Sequence, residues 1–310
     1  MKLAFVVDPL EQLKAYKDSS IAMMREAVRR GHEVHALEAA SMYVRDGAVR
    51  ARVRRLQVSG DNAAWYRVTG EEAGARLGGF DRVLMRKDPP FDQEYYYATL
   101  LLERAQAEGA RVVNSPRALR DWNEKLAILR FPAFAPPTLV ASEMAVVHDF
   151  IDSHRDVIVK KLDGMGGTMI FRVTAADPNR NVIVETLTDM GRRTIMAQRY
   201  VPEIARGDKR VLVIDGKPFS HCLARIPKAG ETRGNLAAGG TGVAQPISPR
   251  DREIAEAVGV ELVAAGIVFA GLDVIGDWLT EVNVTSPTCI VEIAEQTGLD
   301  AARDLLAALE

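Results

Sequence analysis

The chain has 310 residues, 47% of them hydrophobic and 26% charged, with a formal net charge of −2. That length sets a prior of about two domains with a real core, and the near-neutral balance excludes a protein drawn by its global charge to nucleic acid or to an anionic membrane. No run approaches the ~20 apolar residues that span a bilayer, and Lys2-Leu-Ala-Phe-Val-Val-Asp8 has a strand pattern rather than a signal-peptide profile.

Leu3–Val7 reads as the first strand. Asp18-Ser-Ser then signals a helix start, apolar residues recur at Ile21, Met24 and Val28, and Gly31 sits where that helix stops. Glu33–Leu37 returns as a strand. Asp46-Gly47 is a hairpin turn signal, and Ala48–Val58 alternates behind it. The cluster Arg50, Arg52, Arg54 and Arg55 is read as the solvated face of that strand rather than as a binding arm. Arg82–Met85, a helix over about Glu94–Glu108 and a strand at Arg111–Asn114 continue the alternation, which predicts a mostly parallel sheet covered by helices. A helical stretch at Asp121-Trp-Asn-Glu-Lys-Leu-Ala gives way to Phe131-Pro132 and Pro136-Pro137, which cannot continue a helix. A boundary is placed there, between an N-terminal domain of residues 1–122, read as a nucleotide-fold relic or a substrate platform, and a domain of residues 123–310 that carries the chemistry. The second has short strands and two glycine-dense loops, Asp163–Thr168 and Ile226–Gly242. Cys222 and Cys289 lie far apart without metal-ligand spacing and are read as reduced thiols. The five histidines, His32, His35, His148, His154 and His221, form no metal or nucleophile pattern.

The segment Gly271–Pro287 is the most informative. Glu281 and Asn283 are two apart, so on a strand they share a face, and two hard oxygen donors there suit Mg²⁺ with phosphate oxygens. Asp273 on the preceding strand can add a third. If Asp273 and Glu281 converge, they must oppose each other across the hairpin. A regular two-residue Gly276-Asp277 turn would pair Asp273 with Thr280 instead, so parity predicts an odd loop or a compensating bulge. Upstream, Val157-Ile-Val-Lys-Lys runs into Gly164, Gly166 and Gly167, where backbone N–H groups can approach phosphates with no Cβ in the way. This is not a P-loop, and alternation leaves Lys160 and Lys161 both open as its phosphate cation. The long loop from Ile226 to Gly242 is read as a lid, and Arg225 and Arg233 as aimed at anions.

These segments together resemble the bacterial glutathione synthetase family, a branch of the ATP-grasp superfamily. The resemblance rests on Asp18-Ser-Ser, Met85-Arg-Lys-Asp-Pro-Pro-Phe91, Asn123-Glu-Lys125, Leu162-Asp-Gly-Met-Gly-Gly167, Gly207–Val213, Leu223–Pro227, Gly230–Gly240 and Thr280-Glu-Val-Asn-Val-Thr-Ser-Pro-Thr-Cys289. It implies an α/β fold with a Rossmann-like (pre-ATP-grasp) N-terminal domain, followed by an ATP-grasp domain whose two α+β subdomains clamp ATP. The activity implied is ATP-dependent ligation of γ-glutamylcysteine and glycine with Mg²⁺ or Mn²⁺. Other ATP-grasp carboxylate–amine ligases and a non-catalytic ATP-binding regulator are the rival readings. By resemblance, Lys125 and Lys160 hold the ATP phosphates under the Gly164–Gly167 loop, Met165 included. Gln198, Tyr200 and Val201 surround adenine, Asp208 holds the ribose, and Asp273, Glu281 and Asn283 bind the metal. Arg210, Arg225 and Asn235 steady the transferring phosphate. Asp18, Ser19, Arg86, Arg233 and Ser286 contact the peptide, Arg233 also serving catalysis. The family pattern carries proline where this chain has Lys161. A cytoplasmic homo-oligomer, a tetramer, is implied too, with small-molecule partners and neither nucleic acid nor membrane.

Overall fold

The computed structural model describes residues 1–236 and 239–310 and arranges their strands in three sheets. The first sheet takes its strands from the first 113 residues: β1 (Lys2–Val6), β2 (Glu33–Leu37), β3 (Met42–Arg45), β4 (Ala48–Val58), β5 (Tyr66–Arg76), β6 (Arg82–Met85) and β7 (Val112–Val113). Its helices are α1 (Ser19–Arg29), α2 (Gln93–Ala107) and α3 (Pro116–Asp121). The Asp18 carboxylate caps α1 by accepting from the backbone N–H of Ser20 and Ile21 at 2.7 and 3.0 Å, satisfying donors the helix start leaves free. Asp46 and Gly47 both take positive φ, the backbone that a tight hairpin between β3 and β4 requires.

Three of the sequence expectations change here. The sheet is mixed rather than mostly parallel: β2, β1, β6 and β7 run parallel, whereas β4 is antiparallel to β2, β3 and β5. Directly linked hairpins impose antiparallel pairing, and β5 carries no conspicuous apolar alternation in its sequence. The helical stretch at 121–127 is also absent. Helix α3 stops at Asp121, and a 3₁₀ turn covers Leu126–Arg130. Between them the Asn123 side chain accepts from the N–H groups of Lys125 and Leu126, competing with helical bonding, and Glu124 is drawn away to Val284 and Thr285. Finally, Ile226 pairs with Thr241, so the ends of the expected lid belong to a hairpin and the loop proper lies inside them. Ala237 and Ala238, at the lid's centre, lie outside the described residues.

The second sheet, in order β10 (Ile170–Thr174), β9 (Asp156–Lys161), β11 (Ile195–Arg199) and β8 (Thr138–Ala141), is covered by α4 (Met144–His154) and α5 (Arg180–Thr188). It has its own apolar core, including Val147, Ile151, Val157, Val159, Val184 and Leu187. The third sheet, in order β14 (Thr241–Pro246), β13 (Lys217–Ile226), β12 (Asp208–Ile214), β15 (Phe269–Ile275) and β16 (Trp278–Asn283), shares two large cores with the first sheet. Helix α6 (Pro249–Ala265) packs on its strands, α7 (Ile290–Thr297) follows β16, and α8 (Ala301–Leu309) lies against α1. The second sheet is thus a separate lobe facing a continuous body. Cys222 and Cys289 are both buried and unbonded. Among the described residues no helix is long and apolar enough to cross a membrane.

Candidate active site

The hairpin β15–β16 decides where the site forms. Leu272 opposes Val282 and Asp273 opposes Glu281, but Val274 opposes Leu279 and Ile275 opposes Trp278. The register slips at Thr280, which bulges and donates its Oγ1 to the Asp273 carbonyl at 3.1 Å. Gly276-Asp277 does form the short turn its sequence suggests, with Gly276 at φ +58°, and the bulge restores the parity that brings the two carboxylates together. Val282 and Val284 are fully buried on the other face.

Around these carboxylates the strands place cations. On β12, Arg210 opposes Asp273, so the two side chains share a face, and Arg210 Nε donates to Asp273 Oδ1 at 2.6 Å. Arg225 on β13 opposes Asp208 and bridges it to Asp273, reaching Asp273 Oδ2 at 2.9 Å. A Cβ on Gly271 would stand 2.6 Å from Arg210 Cδ, so glycine there makes room for the guanidinium stem. From the second sheet, Lys160 Nζ reaches Glu281 Oε1 at 3.1 Å. Lys125 Nζ lies 3.6 Å from the same oxygen and donates to the Gly164 carbonyl at 2.6 Å. Lys161 has the parity of Val157 and Val159 and falls on the opposite face, away from Glu281.

Lys125, Lys160, Asp208, Arg210, Arg225 and Asp273 are buried and Glu281 is largely so, and burial and pairing shift the pKa values of several of them. Burial pushes the Asp273 carboxyl up, but the Arg210 and Arg225 guanidiniums outweigh it and hold the group well below the usual carboxylate range. Glu281 behaves alike: burial opposes ionisation, and Lys125 and Lys160 bring its pKa below normal. Burial lowers Lys160 despite Glu281. Asp208 goes the other way, to about 7, because burial and the neighbouring Asp273 outweigh Arg225.

Two cavities meet at this cluster. A slot between the second and third sheets is lined by Pro136, Ile158, Ile170, Gln198, Tyr200, Val201 and Ile204, and ends at Lys160, Asp208 and Glu281. A larger basin lies between the first and third sheets, lined by Asp18, Ser19, Arg86 and Ser286 at one side and by Lys125, Gly164–Gly167, Arg210, Arg225 and Asn235 at the other. An apolar slot opening into a polar basin, with a dense charge cluster at the junction, fits a nucleotide whose phosphates point towards a second substrate.

Residues 1–120 match the family described as prokaryotic glutathione synthetase, N-terminal domain, and residues 124–298 match the prokaryotic glutathione synthetase ATP-grasp domain. The chain belongs to the prokaryotic glutathione synthetase family. It is 56% identical to the glutathione synthetase of Nitrosomonas europaea, over 100% of this chain and 98% of that one. To the glutathione synthetase of Bordetella parapertussis it is 55% identical, over 100% of this chain and 99% of the other. Among solved structures a D-cycloserine synthetase shares the fold, with a TM-score of 0.69 at 18% identity, covering 100% of this chain and 98% of that one. A prokaryotic glutathione synthetase of this kind is an ATP-dependent carboxylate–amine ligase.

Against the family's expected roles, the residues divide between the two cavities. Met165 joins Gly164, Gly166 and Gly167 on the basin wall. Gly167 is at φ +83°, and a Cβ on it would stand 2.7 Å from Asn235 Oδ1, so the glycine loop and the lid touch there without room for a side chain. Arg86 is buried, donating to Ser20 Oγ at 3.1 Å and to the Pro287 carbonyl at 2.9 Å, which ties the first sheet to the end of the Glu281–Pro287 segment. Ser286 Oγ donates to the Arg86 carbonyl at 3.3 Å. Arg233 stands apart from its expected place. It lines the slot rather than the basin, with Nη1 donating to the Gly167 carbonyl at 3.2 Å and Nη2 held by Glu231 at 2.6 Å. A peptide contact from Arg233 requires the lid to swing.

Sequence reasoning passed over Glu124. Its Oε1 accepts from Val284 N–H, Thr285 N–H and Thr285 Oγ1 at 3.0, 3.1 and 2.8 Å, pinning the strand end that carries Asn283, and it lines the basin. The only signal was its place between Asn123 and Lys125 in a family motif. Thr138 was also missed. It accepts from Gln198 Nε2 at 3.2 Å and fixes the amide that faces the slot.

The donor set suits a divalent cation. Asp273 and Glu281 are ionised and adjacent, and Asn283 Nδ2 donates to the Gly271 carbonyl at 3.1 Å, which fixes the amide's orientation two residues along. Among the described residues no group of three His, Cys, Asp or Glu could hold a metal alone. A cation here would draw its remaining ligands from phosphate and water, the usual habit of Mg²⁺.

Proposed function

We propose that this chain joins the cysteinyl carboxylate of γ-glutamylcysteine to glycine, consuming ATP and releasing ADP and phosphate. The observation that carries this reading is the buried constellation of Lys125, Lys160, Arg210 and Arg225 around Asp273 and Glu281, at the junction of slot and basin. Burying five charges, with Glu281 largely buried beside them, is costly, and a scaffold needs none of them.

In this mechanism adenine lies in the slot between Ile158, Ile170 and Tyr200, with Gln198 reading its edge. Asp208 Oδ1 is buried without a hydrogen-bond partner among the described residues, as a ribose hydroxyl acceptor would be before its ligand arrives. Lys125 and Lys160 neutralise phosphate oxygens, and the Gly164–Gly167 loop covers them with backbone N–H groups. Asp273, Glu281 and Asn283 would hold Mg²⁺ or Mn²⁺, which would supply charge neutralisation at the transferring phosphoryl group. A carboxylate is a poor electrophile, so the peptide's terminal carboxylate first takes the γ-phosphoryl group and becomes an acyl phosphate. The protein's part in that transfer is alignment and charge stabilisation rather than covalent help. Arg210 and Arg225 then face the oxyanion that forms when glycine's amine attacks. Asn235 and the lid exclude water from the acyl phosphate, which would otherwise hydrolyse. The peptide's far end rests on Asp18, Ser19, Arg86 and Ser286, and the N-terminal unit that supplies three of these, residues 1–122, is the substrate platform. The same reading places the protein in the cytoplasm as a homo-oligomer.

ADP release assayed with γ-glutamylcysteine, with and without glycine, tests the proposal. Turnover that requires both, at one ADP per glutathione, is the expected result. ADP release dependent on a different amine or carboxylate would assign the chain to another ligation, and nucleotide binding without turnover would make it a regulator.

A further inference from the structure

The slot face of the second sheet can be read row by row from its register. Ile170, Lys160 and Met196 lie side by side in the row nearest the charge cluster. The next row is Arg172, Ile158, Gln198 and Thr138. Beyond it lie Asp156 and Tyr200, joined by a bond from Tyr200 N–H to the Asp156 carbonyl at 3.0 Å. Ile170, Ile158, Gln198 and Tyr200 all line the slot. Arg172 is the remaining long side chain of that face, at the outer lip.

Its geometry is specific. The guanidinium carbon stands 3.7 Å from the centroid of the Tyr200 ring. Asp156 holds the guanidinium in a two-pronged fork, with Nε to Oδ1 at 2.9 Å and Nη2 to Oδ2 at 2.6 Å. The Arg172 and Asp156 side chains are 39% and 31% exposed, so the ion pair by itself adds little stability. What it does accomplish is to fix a planar cation against the Tyr200 ring, and the Tyr200 backbone is bonded to the same aspartate.

We propose that Arg172 is a positioning residue for the nucleotide: clamped by Asp156, it holds the Tyr200 ring in the plane that walls the adenine slot. The inference rests on reading the slot as the nucleotide site. A free tyrosine ring would rotate about its side-chain bonds and lose contact with a flat base; the clamp removes that freedom before ligand binds.

The test uses the full chain and five proteins: the parent, Arg172→Ala, Tyr200→Ala, the double variant, and Arg172→Lys as the conservative control. ADP dissociation constants, ATP and γ-glutamylcysteine KM values, kcat and nucleotide-free Tm are measured for each. Arg172→Ala should weaken ADP and raise ATP KM by about two- to fivefold, the size of an exposed cation–π contact. Its kcat, peptide KM and Tm should stay at parental values, and Arg172→Lys should recover part of the affinity. In the Tyr200→Ala background, removing Arg172 should have no further effect. An unchanged ADP affinity in Arg172→Ala, with Tyr200→Ala weakened, overturns the clamp and leaves the slot reading intact. An additional loss in the double variant shows that Arg172 touches the nucleotide directly and also overturns it. Unchanged affinity in Tyr200→Ala overturns the slot reading itself, and the clamp with it.

Discussion

Two regions of this molecule use the same residue types to opposite ends. Along β4, Arg52, Arg54 and Arg55 pair with Glu71, Glu38 and Glu33 at 3.6, 3.0 and 3.3 Å, and the Arg52 and Arg55 side chains are more than half exposed. At the third sheet, Arg210 and Arg225 pair with Asp273 and Asp208 where every partner is at least nine-tenths buried. The first cluster is the more conspicuous in sequence, four arginines in six residues, yet the charges of Arg52 and Arg55 remain hydrated and cheap. The second is dispersed over 66 positions, from Asp208 to Asp273, and its charges have been taken out of water at a cost only function explains. Density of charge along a chain therefore says less than where the charge is desolvated.

Glu281→Gln should break the buried cluster most severely. It removes the anion shared by Lys125 and Lys160 and a charge of the metal donor set, so kcat should fall to below about a tenth of the parent, a loss above roughly 1.4 kcal/mol in the barrier. Steady-state ADP release at saturating Mg²⁺, with circular dichroism to confirm the fold, is the measurement. Activity above that tenth would remove Glu281 from the reacting centre.

Arg233→Ala sharpens the contrast at the lid, where a half-buried arginine works between the two regimes. Its bond to the Gly167 carbonyl and its place on the slot predict a rise in ATP KM of roughly three- to tenfold. A change confined to the peptide KM would instead show that the lid swings Arg233 into the basin before catalysis.

His35 shows what burial does to a titratable group with no such role. It sits edge-on against Phe80 with neither ring nitrogen hydrogen-bonded, and burial lowers its pKa to about 4 from 6.5. Between those values the unfolded chain binds the extra proton, so this residue's contribution to stability is lost as pH falls through that window and regained as pH rises. His35→Leu should flatten denaturant-measured stability between pH 4 and 6.5, with a relative gain of about 2 kcal/mol at pH 5. An unchanged slope would mean the ring is hydrated.

The smallest effect belongs to the solvated ladder. Replacing Arg52, Arg54 and Arg55 together by alanine should change stability by less than about 1 kcal/mol per pair and leave kcat/KM untouched. A loss of activity there would undo the contrast.

The amino-acid sequence alone determined the local order: the Asp18 cap, the Asp46-Gly47 turn, strands β2 and β6, and the parity that forces Asp273 opposite Glu281. These follow from side-chain alternation and from turn and cap chemistry, which act within a few residues. The resemblance also carried the family, because its motifs are dense around the charge cluster. Only the tertiary structure decided the rest. It chose a bulge at Thr280 over an odd loop, put Lys160 rather than Lys161 at Glu281, and made the first sheet mixed. It also recruited Glu124 to pin Thr285 and put Arg233 on the slot. Each depends on which strand or loop lies across from which, a matter of long-range pairing and burial that no local pattern encodes.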